Sequence, residues 1–355
     1  MKRMAGQPIL TDPNRRDLLA GASALAVSGL GSGLAGPVQA AETQVLGAEL
    51  RGRMTTWLGM LDDRQRREAT FDFDSRTRRA WNYMLGSAFA NGLALERMTP
   101  GQKDAARDVL ATALSQYGLD TAENIMLQQD ILRDEWGKGS ADRNRERFSL
   151  MVFGAPSATD PWAWRWEGHH LTITVTHVGD EIVSQTPKAF SSEPNTVPSG
   201  PHKGLVVLPE NETLGRVLFA DLGDGNRRAA LLSERSYGNI LSRPGREDRI
   251  EDREGVALGD LPEKHADMVR RLIAVYTSDH LAGPLRDRQI SRVASEDGAA
   301  IRFGWAGPNE PDESLYYRIH GETFLIEFAT LRGQPQHHHT IVHDLDQNFG
   351  DHRLG

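Results

Sequence analysis

Two stretches near the C-terminus decide the fold: Tyr316-Tyr317-Arg318-Ile319-His320-Gly321-Glu322-Thr323-Phe324-Leu325-Ile326-Glu327-Phe328 and, after a short gap, His337-His338-His339-Thr340-Ile341-Val342-His343-Asp344. Apolar residues alternate through the first stretch, as they do in a half-buried strand. In the second stretch, His337, His339, Ile341 and His343 share one parity. The pattern predicts two strands joined by a loop over 329–336.

This pair of strands can gather metal-binding groups at one place. Side chains two residues apart on a strand point to the same face, so His337 and His339 are predicted to lie side by side. Glu327 on the partner strand is a candidate fourth ligand or general base, because imidazoles and carboxylates together bind divalent metals. Arg318, one strand away, is a candidate for stabilising negative charge in a transition state. The alternative for Arg318 is a surface salt bridge.

A second histidine pair, His169-His170, precedes an alternating stretch, Leu171-Thr172-Ile173-Thr174-Val175-Thr176, which predicts a strand rich in β-branched residues. If that strand runs back unbroken, His169 lies on its apolar face and His170 on its threonine face. A bulge at Gly168 would change this assignment. One of the two histidines is expected to complete the metal site; alternatively, both are structural and bond backbone carbonyls.

Three tryptophans, Trp162, Trp164 and Trp166, also share one parity. Such a stripe is more often sheet core than a stacking platform for a sugar or another flat ligand. Both interpretations stay open from the sequence alone.

Composition limits the function classes. The chain has 355 residues, 39% hydrophobic and 25% charged, with a net charge of -8 and no cysteine. Nucleic acid is not an expected partner, since it requires a basic surface that this sequence does not show. Without cysteine, thiolate sites and disulfides are excluded, and any metal must be held by His, Asp, Glu or backbone oxygen.

The N-terminus predicts an export signal. Arg15 and Arg16 precede an Ala/Gly-rich apolar run over 18–34, and small residues suited to cleavage end near Ala40. This resembles a twin-arginine signal over 1–40, which implies the twin-arginine export machinery as a partner and a periplasmic or secreted mature protein. A transmembrane anchor is the weaker alternative, and the mature protein is expected to have no membrane contact.

Helices are predicted mainly in the first half. Thr99-Pro100-Gly101-Gln102 has the pattern of a capping box, opening a helix that runs to Gly118. A second helix is predicted over 120–132, and Asp260-Leu261-Pro262-Glu263 predicts another capped start. The order helices, strands, helices, strands favours a single mixed α+β domain over 41–355, with an N-terminal helical part and antiparallel strands carrying the histidine cluster.

The sequence resembles the bacterial domain-of-unknown-function 3500 family over roughly residues 54–352. The resemblance rests on a series of motifs in the same order: Trp81, Met98-Thr99-Pro100 with Gln102, Val152-Phe153-Gly154 to Pro161, Glu167-Gly168-His169-His170-Leu171, Phe303-Gly304-Trp305-Ala306-Gly307, Tyr316-Tyr317-Arg318-Ile319, Phe324-Leu325-Ile326-Glu327, His337 and His339-Thr340, and Asp344 with Asn348-Phe349-Gly350. It implies one fold and the position of the site, and it implies no particular chemistry.

The chain departs from the family pattern in two places, 329–336 and 342–343. Relatives tend to have Glu-Tyr-Asp-Asn-Thr-Gln where this chain has Glu327 to Arg332, and Asn where it has Gln336. They have Trp-Arg where it has Val342-His343. The candidate ligands are therefore retained while residues that would support them differ.

The leading hypothesis is an exported metal-dependent enzyme in which His337, His339 and His169 or His170 bind a divalent ion, with Glu327 beside them. A metal with an open position makes bound water nucleophilic, which favours a hydrolase. Zinc, copper, iron and manganese all suit these ligands, so a copper, iron or manganese oxidoreductase is the alternative. A second alternative is a non-catalytic periplasmic protein that binds a small molecule or carbohydrate at the tryptophans. A third is that the histidines belong to a polar core and bind no metal.

Overall fold

One large β-sheet organises the chain. The computed structural model describes residues 35–86, 91–137 and 142–354, and within them 13 strands form a mixed sheet. The strands are β1 (Thr70–Phe71), β2 (Leu93–Ala94), β3 (Ser149–Phe153), β4 (Pro161–Gly168), β5 (Leu171–Val178), β6 (Glu181–Ser184), β7 (Lys188–Phe190), β8 (Leu231–Ser233), β9 (Val256–Ala257), β10 (Arg302–Ala306), β11 (Tyr316–His320), β12 (Phe324–Leu331) and β13 (Gln334–Asp344).

The strand order joins two distant parts of the sequence. It runs β1-β3-β4-β5-β7-β13-β12-β11-β10-β8, with β2 beside β3, β6 beside β5 and β9 beside β10. Among the described strands, only β1 with β3 and β10 with β8 pair in parallel. Strand β7 pairs with both β5 and β13, so the His169-His170 region and the C-terminal histidines belong to neighbouring strands of one sheet.

Helices precede and interrupt the strands. They are α1 (Ala35–Gly59), α2 (Asp63–Ala69), α3 (Pro100–Ala113), α4 (Gln116–Asp130), α5 (Asn211–Asp221), α6 (Asp224–Ala230), α7 (Glu263–Tyr276) and α8 (Gly283–Ala294). Shorter helical turns cover Arg76–Arg78, Leu95–Arg97, Ile131–Glu135, Arg145–Arg147, Leu258–Asp260 and Asn348–Arg353. This confirms the prediction of an α+β domain with an N-terminal helical part.

One face of the sheet is apolar and covered by helices. Its tryptophans on β4 and the alternating residues of β5 pack with side chains of α1, α3 and α4 such as Trp57, Leu110 and Ile125. At the other end of the sheet, aromatic residues of β10 to β12 pack with α5 and α7, through residues such as Phe219 and Leu272. Burial of these large side chains is the main stabilising contribution to the fold.

The opposite face is polar and covered by loops rather than helices. It carries the second parity of each strand: the threonines of β5, Arg165, Glu167, Arg318, Glu327 and the odd-numbered histidines of β13. Most of these side chains are buried beneath segments around 72–86, 233–255 and 348–353. The histidine cluster lies on this face.

The first capping box is confirmed, but the predicted helix length is wrong. Thr99 accepts from the Gln102 N–H, and Gln102 returns a bond to the Thr99 N–H. The helix ends at Ala113, and Ser115 caps α4 directly after it. Gly118 is not a stop: it lies inside α4, where an added Cβ would be 2.2 Å from the His280 carbonyl oxygen.

The second capping box is wrong. Asp260 closes a short helical turn, and Pro262 takes the N-cap position of α7 without a side-chain hydrogen bond. The Pro262 carbonyl instead accepts from the N–H groups of His265 and Ala266.

The loop predicted over 329–336 is also wrong. Strand β12 continues to Leu331 and β13 begins at Gln334, with these two residues paired across a tight turn. Gly333 adopts φ of 72° in that turn, a conformation that glycine takes without a steric penalty.

Residues 39–355 form one compact unit. The predicted export signal covers residues 1–40, of which residues 1–34 lie outside the part of the chain that the structure describes. Among the helices that the structure describes, none has both the length and the apolar character needed to cross a membrane.

Candidate metal centre

Strand β13 carries two of the three histidines that form the candidate site. His337 and His339 share one face, as their parity predicts, and His339 lies opposite Ala329 on β12. His339 is buried and His337 is partly exposed. His338 points to the other face, where its Nε2 lies 3.0 Å from Glu212 Oε2.

The third histidine comes from a hairpin turn rather than a strand. Gly168 pairs with Leu171, so His169 and His170 form the two-residue turn between β4 and β5. His170 adopts φ of 70°, a left-handed conformation in which histidine is enriched among non-glycine residues. Its N–H donates to the Tyr83 carbonyl and its carbonyl accepts from Ser191, which fix the buried turn.

The imidazoles of His170, His337 and His339 converge through their Nε2 atoms. His337 Nε2 lies 2.9 Å from His170 Nε2 and 3.1 Å from His339 Nε2. The three potential ligand atoms all lie within 4.8 Å of one another. Metal–nitrogen bonds of about 2.1 Å place neighbouring ligand nitrogens roughly 3 Å apart. The two pairs that include His337 have this spacing, so these three side chains could hold one metal ion.

The tautomer of His339 is fixed by its other nitrogen. Nδ1 lies 2.8 Å from Asn239 Oδ1, and that same atom accepts from the Ile240 N–H at 2.8 Å. Because a backbone N–H is always a donor, Oδ1 must be the amide oxygen, and His339 Nδ1 must carry the proton. In neutral His339, Nε2 therefore carries a lone pair, which points into the cluster.

His337 is oriented in the same way. Its Nδ1 lies 3.1 Å from Gln334 Oε1 and 3.6 Å from the carboxylate of Glu193. Both neighbours are acceptors, which favours a proton on Nδ1 and a lone pair on Nε2. Two lone pairs then face each other at 3.1 Å, an arrangement that a shared cation stabilises.

Burial keeps two of the three imidazoles, those of His170 and His339, uncharged. It lowers the pKa of His170 and of His339 well below 6.5, and the neighbouring imidazoles lower both further. Neutral imidazole is the form that binds metals, so His170 and His339 are in their ligating form at neutral pH.

His169 lies beside the cluster but is not part of it. Its ring stacks on His170 with centroids 3.7 Å apart, and its Nδ1 lies 2.7 Å from Gln129 Oε1. The structure therefore places His170 with His337 and His339, and directs the polar edge of His169 elsewhere.

Glu327 is also outside the triad. One carboxylate oxygen accepts from Leu241 N–H and Tyr316 Oη at 2.8 and 2.7 Å, and the other from the Ser242 N–H and hydroxyl. Glu327 thus anchors the loop that carries Asn239. Its roles as a metal ligand or general base stay predictions. The hydrogen bonds of its carboxylate in this structure hold the loop in position.

Arg318 is buried and paired. Its Nη2 lies 2.7 Å from Glu254 Oε2 and donates to the Asp252 carbonyl at 3.3 Å. The predicted alternative was a surface salt bridge; the structure shows a salt bridge in which the arginine is buried and the glutamate is exposed. A catalytic role for Arg318 stays a prediction.

The tryptophan stripe belongs to the core. Trp162, Trp164 and Trp166 are each 0% exposed and lie on the helix-covered face. Because they are buried, they cannot stack on a ligand. The hypothesis of a small-molecule or carbohydrate site at these tryptophans is therefore wrong.

Sequence patterns did not identify the residues that orient the ligands. Asn239, Gln334 and Glu193 contact the histidines from a loop, from the start of β13 and from the segment after β7. Of these three residues, only Gln334 is close in sequence to the histidine that it contacts, three residues before His337.

The family model described as "Protein of unknown function (DUF3500)" matches residues 44–351 of the chain. No curated protein and no solved structure matches the chain.

Proposed function

We propose that this chain, which belongs to the DUF3500 family, is an exported metal-dependent enzyme that binds one divalent ion through His170, His337 and His339. The observation that carries the proposal is the convergence of three Nε2 atoms, two of whose imidazoles have Nδ1 engaged by acceptor oxygens. A single nitrogen has one proton or one lone pair, so His337 Nε2 cannot form good hydrogen bonds with both neighbours. A cation at the centre could accept a lone pair from each of the three Nε2 atoms.

Three neutral ligands favour hydrolysis. No carboxylate lies in the described triad, so the ligands leave the positive charge of a divalent ion unreduced. A metal held by three histidines with an open position lowers the pKa of bound water to about 7. His339 and His337 would supply the lone pairs, while Asn239 and Gln334 hold their rings in the binding tautomer.

An oxidoreductase is the second candidate. Imidazole ligands suit copper, iron and manganese as well as zinc, and ligand type alone does not choose among them. The metal found in the protein decides between these reactions, which makes metal identity the first quantity to measure.

The export proposal rests on the N-terminal sequence. The paired arginines, the weakly apolar run and the cleavage-like residues near Ala40 support twin-arginine export to the periplasm or beyond. That route accepts folded proteins, which suits a site assembled from distant strands.

The test is elemental mass spectrometry of the mature protein, purified without an affinity tag from its own export route. We expect about one equivalent of metal in the native protein and none in a His337→Ala/His339→Ala variant. The matched control removes one partly exposed and one exposed histidine, His202→Ala/His352→Ala, and should keep the metal. Circular dichroism should show that all three proteins are folded.

Absence of metal from the native protein, even after incubation with zinc, copper, iron and manganese, would overturn the proposal. So would equal metal content in the native protein and in the His337→Ala/His339→Ala variant.

A further inference from the structure

A cleft lined by both polar and apolar side chains opens beside the candidate metal centre, next to His169. Its lining includes Asn82, Gln129, Asn144, Arg147, Glu167 and His169. It offers about 40 Å³ to groups the size of water, which accommodates roughly three hydroxyls. His169 connects the two features, because its ring stacks on the triad residue His170.

Two hydrogen-bond acceptors in this cleft have no partner among the residues that the structure describes. Glu167 is 5% exposed; its Oε2 accepts from the Asn82 N–H at 2.7 Å, but its buried Oε1 makes no hydrogen bond. A buried carboxylate oxygen without a donor is costly and calls for one. Arg165 lies behind it, with Nε 2.9 Å from Oε2 rather than from Oε1.

His169 supplies the second acceptor. The Gln129 side-chain nitrogen donates to the Ile125 carbonyl at 3.2 Å, so the atom facing His169 is the amide oxygen. Nδ1 of His169 is then the donor, and Nε2 keeps its lone pair. That Nε2 makes no hydrogen bond to the described residues, and His169 is partly exposed.

Two donors complete the set. Asn82 Oδ1 accepts from the Met84 N–H at 2.7 Å, and Asn144 Oδ1 accepts from the Glu146 N–H at 2.9 Å. Because the oxygens of both side chains are engaged, their amino groups are the parts left to meet a ligand.

Charge in the cleft disfavours an anion. Arg147 is the cation among the described lining residues, and it is paired with Glu96 and Asp142 at 3.0 and 3.3 Å. A carboxylate or phosphate would meet Glu167 and Asp142 without an unpaired cation to balance it.

We propose that this cleft binds the hydroxyl-bearing edge of a neutral polyol, such as a sugar, and presents it to the metal centre. A hydroxyl both donates and accepts, so neighbouring hydroxyls can donate to Glu167 and His169 while accepting from Asn82 and Asn144. Presentation to the metal rests on the proposed function; binding in the cleft does not.

The test is saturation-transfer NMR on the full mature protein with glucose and glycerol as probes and glucuronate as the anionic counterpart of glucose. We expect transfer to glucose and glycerol and little to glucuronate. His169→Phe keeps a ring to stack on His170 but removes the acceptor, and should weaken glucose binding about tenfold. The control His202→Phe replaces a partly exposed histidine outside the cleft and should bind like the native protein.

Asn144→Asp separates ligand contact from structure. An aspartate oxygen can still accept from the Glu146 N–H, so the local turn is retained while the amino donor is replaced by a charge. We expect folded protein with glucose binding weakened at least tenfold. Native binding in both cleft variants, equal transfer to glucuronate, or no transfer to either neutral probe at millimolar concentrations would overturn the proposal.

Metal content is measured on the same samples, so the two proposals fail separately. Sugar binding in a native protein that holds no metal would overturn the metal-dependent enzyme and leave the cleft standing. Metal in a native protein that binds neither neutral probe would overturn the cleft alone.

Discussion

The two faces of the sheet bury side chains of opposite character. On the helix-covered face, tryptophans of β4 and aromatic residues of β10 to β12 pack against α1, α3, α4, α5 and α7. On the loop-covered face, Arg165, Glu167, Glu327 and His339 are buried to a similar degree. The same strands supply both, since alternate residues point to opposite faces.

This difference separates stability from chemistry. Burial of apolar side chains away from water stabilises the fold, whereas burial of a polar group costs free energy unless the group has a partner. Glu327 has its partners in the loop, and Arg318 has Glu254. At the triad, the Nε2 lone pairs of His337 and His339 face each other at 3.1 Å, so a cation bound between them would stabilise this part of the polar face.

The largest effect should come from the apolar face. Trp164→Ala removes a fully buried indole from the core between β4 and the helices, and should lower the free energy of unfolding by about 3–5 kcal/mol. Urea unfolding of the metal-free protein measures it.

Trp164→Phe is the matched variant and should recover much of this loss, because a buried ring remains. A loss below about 1 kcal/mol for Trp164→Ala would contradict the assignment of this face as the main source of stability.

The apolar face was largely predictable from the sequence because its signals are local. Alternation at Leu171, Ile173 and Val175 identified β5, and the reciprocal pattern of Thr99 and Gln102 identified the start of α3. Errors arose where tertiary contacts override local chemistry. Gly118 was misassigned as a helix end because nothing nearby in sequence reveals its close approach to His280.

The polar face was predictable only in part. Spacing on one strand identified His337 and His339, and their neighbour in space was known only as His169 or His170. The choice depended on whether Gly168 ended the strand, a question of backbone conformation at a tight turn. Asn239 could not be found at all, because it reaches His339 across 100 residues of sequence.

The next effect concerns a residue that never touches the metal. Asn239→Ala removes the acceptor that holds the proton on His339 Nδ1, and should weaken metal binding about 10–100-fold. Competition with a chromogenic chelator measures the affinity. Asn239→Asp keeps an oxygen for Nδ1 and for the Ile240 N–H, and should bind metal nearly as well as the native protein.

Equal affinity in Asn239→Ala and the native protein would show that the loop contact does not orient His339. Thermal unfolding of both metal-free variants checks that any difference in affinity is not general destabilisation.

A histidine on the apolar face provides a pH test. His177 is fully buried against Trp162, with neither ring nitrogen hydrogen-bonded, and burial lowers its pKa to about 3. The unfolded chain, with a histidine pKa of about 6.5, takes up this proton first, so stability is complete above that pH and falls as the pH drops toward 3. Between pH 6.5 and 5 this histidine should account for about 2 kcal/mol of lost stability.

His177→Phe keeps a ring against Trp162 and removes the titrating group. Urea unfolding of metal-free protein at several pH values should show a flatter acid limb for the variant, while above pH 7 its pH dependence should parallel that of the native protein. Parallel curves between pH 6.5 and 5 would contradict the assigned pKa.

The smallest effect tests the turn that joins β12 to β13. Gly333 has φ of 72° and open space around it, so Gly333→Ala meets no neighbour but must hold an alanine in a left-handed conformation. The expected cost is about 1 kcal/mol, and Gly333→Asn should recover part of it because asparagine tolerates that conformation better. Metal affinity should stay unchanged, since His337 and His339 are held by the contacts of the polar face rather than by the turn. A tenfold loss of affinity in Gly333→Ala would show instead that the geometry of the triad depends on the hairpin turn, and would make the backbone of β13 part of the site.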